Sequence, residues 1–241
     1  MEGTRLLFQE DSYLREFEAR VVSVEGDRVV LDRTAFHPRP SGGLDADRGV
    51  LEGPLGIYKV VDTVAEGDVV VHIVPGHRLK PGDRVVGRID WERRYRMMKL
   101  HTASHILAAI LYKRYGALVT GGHISPEQAR DDFDLSMVEG DWKEVLRRAL
   151  EEAEEIAGRC LEVKIYWLPR EEALKIPGLV KLAEKMPPGA NRLRIVEIPG
   201  VDVQADGGPH VRNTCEIGGL KLLRLESKGR KRRRIYYTLN Q

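Results

Sequence analysis

Met98-Lys-Leu-His-Thr-Ala-Ser-His-Ile-Leu-Ala-Ala-Ile-Leu111 is the stretch on which the reading of the chain turns. Apolar residues recur at helical spacing, Met98, Ile106, Ala109 and Ile110 among them, and Gly116 supplies a stop. His101 and His105 lie four apart on this helix, so they project from one face, one turn apart. Two imidazoles placed this way can converge on one ion, and imidazole suits zinc near neutral pH. An HxxxH pair alone is weak evidence. It gains weight from Asp206-Gly-Gly-Pro-His210, roughly a hundred residues later, where two glycines permit backbone angles that turn both side chains to one point. A mononuclear site usually draws a close-spaced pair from each of two distant segments. His101, His105, Asp206 and His210 are therefore the expected ligands, and Zn2+ the expected ion.

The chain has 241 residues, enough for one large or two modest domains. Lys and Arg number 39 against 37 Asp and Glu, a net charge of +2 that points to no polyanionic partner by itself. Two cysteines, Cys160 and Cys215, cannot build a disulfide scaffold, which points to a reducing compartment. No stretch is apolar for the ~20 residues of a membrane span, and the N-terminus lacks a signal-peptide profile. A cytoplasmic protein is the expectation, with no membrane association and no obligate protein partner.

Residues 1–91 read as β structure: runs at 17–24, 28–31, 57–61, 69–74 and 84–89 are short and rich in β-branched residues. Glu25-Gly-Asp27, Glu66-Gly-Asp68 and Lys80-Pro-Gly-Asp83 are turn signals between them, and strands at this spacing predict a small barrel. Phe36-His-Pro-Arg-Pro-Ser-Gly-Gly-Leu-Asp-Ala-Asp-Arg-Gly49 is too rich in Gly and Pro for a strand. It reads either as a surface loop or as a Gly-rich loop whose backbone approaches a ligand.

Asp90-Trp-Glu-Arg-Arg-Tyr-Arg96 opens the long helix, which runs to about residue 115, and a strand is expected at 131–135. A helix at 142–157 carries the stripe Trp142, Val145, Leu146, Ala149, Ala153 and Ile156, with Asp141 and Glu144 as a capping box. Residues 161–168 alternate as a strand with Val163, Ile165 and Trp167 on one side. Short helices at 170–175 and 179–185 follow, then a strand at 192–198 leading into the Asp206/His210 element. The end is a hairpin, 220–225 and 230–239, whose Arg230-Lys-Arg-Arg-Arg234 run is either a solvated strand end or a surface for RNA phosphates. The fold class is thus α+β: a β-barrel domain over 1–91, then an α/β domain over 92–241 with a mainly antiparallel sheet and a long metal-bearing helix.

Several of these segments together resemble the editing domain of alanyl-tRNA synthetases. They are Asp90-Trp-Glu-Arg-Arg followed by Met98-x-x-His-Thr-Ala-Ser-His-Ile-Leu107, and Val203-Gln-Ala-Asp-Gly-Gly-Pro-His-Val211. Phe36-x-Pro-x-x-x-Gly-Gly with Asp47-x-Gly49 resembles the Gly-rich loop of the barrel that precedes that domain. The resemblance covers nearly the whole chain and matches the free-standing editing proteins of the AlaX type, of medium length. It implies an ATP-independent, zinc-dependent aminoacyl-tRNA deacylase that acts on tRNA(Ala) mischarged with serine or glycine. His101, His105, Asp206 and His210 map onto the zinc set, and Thr120 onto a threonine that hydrogen-bonds the serine hydroxyl. Gly42 and Gly43 map onto the discriminating loop, while Arg232 and Arg233 of the basic run would face the RNA. Three positions depart from the family pattern: Asp206 stands where cysteine is usual, Leu44 where glutamine is frequent, and His37 where tyrosine is. Cys215 is a conceivable replacement thiolate. Two other readings stay open: a non-catalytic zinc-containing tRNA-binding module, and a zinc hydrolase for another acyl substrate.

Overall fold

The computed structural model describes residues 3–177, 179, 191–229 and 231–240. By internal contacts the chain divides into two compact units, one ending at Met97 and the other beginning at Met98. The boundary falls inside the long helix rather than ahead of it, because the helix's first two turns are packed into the first unit.

Unit 1 holds β1 (Arg5–Leu6), α1 (Leu7–Glu10), β2 (Glu16–Glu25), β3 (Arg28–Leu31), β4 (Arg33–Thr34), β5 (Gly49–Gly53), β6 (Gly56–Val60), β7 (Asp62–Glu66), β8 (Val69–Ile73) and β9 (Arg84–Ile89). Seven of these strands form one antiparallel sheet in the order β6-β5-β9-β2-β3-β8-β7. A small barrel is the expectation from sequence; the pairing gives a seven-stranded sheet with β6 and β7 at its edges. All five expected strands are present, and β5 and β7 are additions. Both additions are short and interrupted by glycine or acidic residues, which hides the period-2 signal. Phe17, Val21, Val29, Leu31, Phe36, Leu51, Val60 and Val85 form one buried cluster. Their alternation with exposed residues along β2 and β3 turns one face of each strand inward.

His72 on β8 is a buried polar residue in this core. Its Nδ1–H donates to the Val29 carbonyl at 3.1 Å, and its Nε2 accepts from the Thr34 hydroxyl at 2.8 Å. Burial pushes its pKa from 6.5 down to about 4, so the folded imidazole is neutral. Between those values the unfolded chain binds a proton that the folded chain refuses. Stability is therefore full above pH 6.5 and falls as pH drops through the window, by about 3 kcal/mol at pH 4. Urea unfolding of wild type and His72→Gln at pH 7 and pH 4.5 checks this: the variant is expected to lose less on acidification. An identical acid loss in both proteins would remove His72 from the account.

The long helix α2 (Trp91–Tyr115) runs from unit 1 into unit 2 and ends at Gly116, whose φ of +63° is easy only for glycine. Unit 2 adds β10 (Val119–Ile124), β11 (Ala129–Asp134), α3 (Trp142–Ala157), β12 (Lys164–Pro169), α4 (Arg170–Ala173), β13 (Arg192–Ile198), β14 (Asp202–Ala205), the 3-10 turn η1 (Thr214–Ile217), β15 (Leu220–Lys228) and β16 (Arg232–Leu239). Its strands form two antiparallel sheets, β10-β11-β16-β15 and β12-β13-β14. The expectation at 179–185 lies outside the described residues except for Leu179, which is buried. No helix of the described residues is long and apolar enough to cross a membrane.

Three sequence expectations change. Asp141 caps α3 through the Lys143 N–H, but Glu144 does not complete a box, because Arg148 takes its carboxylate at 2.8 Å. Ile165 and Trp167 do share a side of β12, yet it is the exposed one, at 36% and 40%. Tyr166 and Leu168 pack on the Leu193/Ile195 core instead, since neighbouring strand residues face opposite ways. The third change concerns the cysteines. Cys160 and Cys215, 55 residues apart, form a disulfide with Cα atoms at 4.6 Å. The turn η1 docks on the end of α3 and brings them together: Thr214 Oγ1 donates to the Ala157 carbonyl at 3.0 Å, and Asn213 Nδ2 to the Cys160 carbonyl at 3.0 Å. One bridge is not a scaffold, but it removes the argument for a reducing compartment and excludes Cys215 as a metal ligand.

Candidate metal centre

Helix α2 is buried on most sides over Met97–Leu111, and its two histidines face the loop that follows β14. His101, His105, Asp206 and His210 each offer a ligand atom, and those atoms lie within 4.8 Å of one another. His101 Nε2 is 3.6 Å from Asp206 Oδ1, and His210 Nε2 is 3.3 Å from Asp206 Oδ2. Donors at the ~2.0–2.1 Å of a tetrahedral zinc ion stand about 3.3 Å apart, so the cluster has the right size. The rings of His101 and His210 are stacked with centroids 4.0 Å apart, and His105 stands edge-on to both. All four of these residues were expected from sequence, and the fold gathers them into one cluster.

Sequence reading missed the groups that orient them. His101 Nδ1 lies 3.2 Å from the Pro209 carbonyl, which can only accept, so that nitrogen carries the proton. His105 Nδ1 is 3.1 Å from the Asp202 carboxylate. Thr102 settles the third ring. Its hydroxyl donates to the Met98 carbonyl at 3.0 Å, so its oxygen is left to accept from His210 Nδ1–H at 3.0 Å and from the Val211 N–H at 3.3 Å. Each Nδ1 is engaged and each Nε2 keeps its lone pair for an ion. Thr102 follows His101 directly, and Asp202 stands four residues before Asp206. Nothing in sequence separates them from other buried polar residues, and only the contacts give them a role.

The Asp206 loop is held just as closely. Its Oδ2 accepts the Gly208 N–H at 2.6 Å, and buried Arg194 on β13 donates from Nη1 to the Asp206 and Gly208 carbonyls, both at 2.9 Å. Gly208 is required here, since a Cβ would stand 2.7 Å from Cε1 of His101. Burial favours a neutral Asp206 carboxyl, but His101, His210 and His105 outweigh it and hold its pKa well below the usual range. Burial, reinforced by His101 and His105, keeps His210 well below its ordinary value and hence neutral. A charged Asp206 carboxylate and a neutral His210 imidazole are protonation states that bind a divalent cation. The donor set fits zinc, with a harder fourth ligand than a thiolate.

Beside this cluster Ser104 donates to Asp131 Oδ1 at 3.0 Å, and the Tyr237 hydroxyl to Oδ2 at 2.7 Å. Burial pushes the Asp131 carboxyl up to about 6 against both hydrogen bonds. Thr120 sits at an irregularity of β10 and donates its proton to the Asp132 carbonyl at 3.2 Å. The Gly-rich loop belongs to unit 1. Gly42 and Gly43 take left-handed φ of +57° and +77°, and Leu44 and His37 are both buried. The four cluster residues and Thr120 belong to unit 2. Arg232 and Arg233 lie on opposite faces of β16, Arg232 exposed and Arg233 spanning the turn to the Gly229 carbonyl at 2.7 Å.

Residues 193–236, which include Asp206 and His210, match the family model for the second additional domain of threonyl- and alanyl-tRNA synthetases. Residues 8–93 match the model for class II (A) tRNA synthetases. The chain is 53% identical over 239 residues to the alanyl-tRNA editing protein AlaX-M of Saccharolobus solfataricus, a match covering 98% of this chain and 99% of that one. The AlaX-M protein of Methanosarcina barkeri is 40% identical over 248 residues, with 98% and 99% covered. The alanine–tRNA ligase of Ignicoccus hospitalis is 39% identical over 226 residues, which are 91% of this chain but 24% of the ligase.

Proposed function

The chain belongs to the AlaX-M alanyl-tRNA editing proteins, and from that premise we propose that it is a zinc-dependent deacylase hydrolysing seryl-tRNA(Ala) and glycyl-tRNA(Ala) in trans. The observation that carries the reading is the convergence of four ligand atoms within 4.8 Å, with three imidazoles oriented Nε2-inward. His101, His105, Asp206 and His210 would hold the ion. Bound there, zinc would supply a Lewis acid that anchors and polarises the aminoacyl end.

The rest of the chemistry falls to the chain's own groups. Thr102, Asp202 and the Pro209 carbonyl keep the ligand rings in one tautomer, so no reorganisation accompanies the reaction. The ester leaves a tRNA hydroxyl behind, and the neighbouring ribose hydroxyl helps orient it, so little general base is needed. Thr120 has already given its proton to the Asp132 carbonyl, and its oxygen therefore accepts from a serine hydroxyl. Alanine brings no hydroxyl to that acceptor, which separates it from serine; glycine, equally without one, is not selected through Thr120. Gly42 and Gly43 serve discrimination through the loop backbone. Arg232 is assigned to the RNA, and Arg233 first to its turn.

Four protein donors can close a tetrahedral site, which is the observation favouring the alternative, a non-catalytic zinc-containing tRNA-binding module. Deacylation of seryl-, glycyl- and alanyl-tRNA(Ala) by zinc-loaded protein separates the two. Release of serine and glycine with alanine spared is expected, and tRNA binding without release would leave the module. Thr120→Val is expected to slow serine release about 10- to 100-fold, the worth of one buried hydrogen bond, at unchanged zinc content. Unchanged serine hydrolysis would take Thr120 out of the site.

A further inference from the structure

The register of the β10-β11-β16-β15 sheet sorts its side chains onto two faces. Ala129, Phe133, Ile235 and Tyr237 lie on one and are fully buried. On the other, Arg130, Tyr236 and Arg224 stand directly opposite one another on three neighbouring strands. They make a single row about 10 Å long at ordinary strand spacing. The Arg224 guanidinium lies 3.9 Å over the Tyr236 ring, with its side chain 59% exposed. Arg130 Nε is buried with no hydrogen-bond partner among the described residues. The next row is Asp132, Arg234 and Glu226, and the one after it Asp134, Arg232 and Lys228. Lys221 extends the same face opposite Thr238.

Charge on this face does not balance. Asp132 is spent on Arg234, with bonds of 2.6 and 2.8 Å, and Glu226 on Arg224 and Lys228 at 3.2 and 3.0 Å. Asp134 accepts from the Ser136 N–H. Six cations against three carboxylates leave an excess of three positive charges. Arg130, Arg232 and Lys221 have no carboxylate within ion-pair distance among the described residues. Tyr236 is itself buried beneath Arg224 and Arg234, so the face presents guanidinium planes and ammonium groups rather than an aromatic platform, and that excess of cations matches the chemistry of a sugar-phosphate backbone.

We propose that this face, centred on exposed Arg224 above buried Tyr236 and flanked by Arg130, Lys221 and Arg232, binds the sugar-phosphate backbone of the tRNA. The surface deepens the editing reading, on which its choice of RNA rests. It assigns no RNA contact to Arg233, whose side chain is on the other face over Trp142, 5.1 Å from the ring.

The test measures binding of uncharged, transcribed tRNA(Ala) to the full chain as a function of KCl. Arg224→Gln/Arg232→Gln removes two phosphate contacts. It is expected to weaken binding on the order of 30-fold at 0.1 M KCl and to flatten the slope of log K against log salt by about 1.4 to 1.8. Arg147→Gln/Arg148→Gln, which takes two charges from exposed positions of α3, is the matched control. Lys221→Gln/Arg232→Gln leaves the Arg224–Tyr236 stack intact, so a loss shared by both sheet pairs comes from charge and not from misfolding. An unchanged slope in the sheet variants, or an equal loss in the α3 control, would overturn the proposal. Binding needs no turnover. A chain that binds through this face but releases no amino acid would refute the deacylase and keep the surface, whereas release with unaltered binding would do the reverse.

Discussion

His101→Ala is expected to strip the protein of zinc and to slow seryl-tRNA(Ala) hydrolysis by about 1000-fold or more. The estimate takes the several kcal/mol that a metal contributes to stabilising developing charge as the size of the loss. His101 is the ring against which the rest of the site is built. It stacks on His210, stands edge-on to His105, faces Asp206 at 3.6 Å and lies where any side chain at 208 would have to go. Its removal leaves three donors and a gap beside Gly208. Metal content by atomic absorption and serine release from the same preparation make the measurement. A variant that keeps stoichiometric zinc with wild-type release would refute the ligand set. Loss of zinc with release intact would separate the metal from the chemistry and leave it a structural part.

Arg94→Ala is expected to destabilise unit 1 by about 3–5 kcal/mol, the usual cost of breaking a buried ion pair from one side. Arg94 and Asp47 are both fully buried, joined through Nε at 3.1 and 3.0 Å and through Nη2. Arg94 also donates to the Ser12 and Ala35 carbonyls at 3.0 and 2.6 Å. Asp47 accepts the His37 N–H at 2.6 Å, while the Asp47 N–H bonds the His37 carbonyl at 3.0 Å. Thr63 Oγ1 reaches the carbonyls of both residues. These bonds clamp the two ends of the Gly-rich loop to the first turn of α2, so residues 38–46 form a closed loop on a rigid neck. Without Arg94 the Asp47 carboxylate stays buried and unpaired. Denaturant unfolding checks the figure, and Arg94→Met/Asp47→Leu, which removes both charges, is expected to cost less than the single change. A single-variant cost below about 1 kcal/mol would show that the clamp is dispensable.

Much of the site was legible because its signals are local. His101 and His105 share a helix face by spacing alone, whereas Gly208 is needed for the close approach of His101 and not for a left-handed φ, a reason the local sequence does not show. The Gly-rich loop could not be placed from its own residues, since a surface loop and a clamped one have the same composition. What separates them is Arg94, almost fifty positions away. Arg232 and Arg233 look equivalent in a basic run, but alternation along a strand sends them to opposite faces, and only the pairing with β11 and β15 says which face is which.

By itself the sequence determined most of the element types, the long helix, the four residues of the candidate metal cluster and the family to which the chain belongs. Those depend on spacing along the chain, where periodicity and residue chemistry act over a few positions. Only the tertiary structure decided that Thr102, Asp202 and Arg194 hold the ligands, that Cys160 meets Cys215, and that Arg130, Tyr236 and Arg224 line one row. Each of these rests on contacts between segments far apart in sequence, and such contacts are set by how the sheets and helices pack rather than by any local pattern.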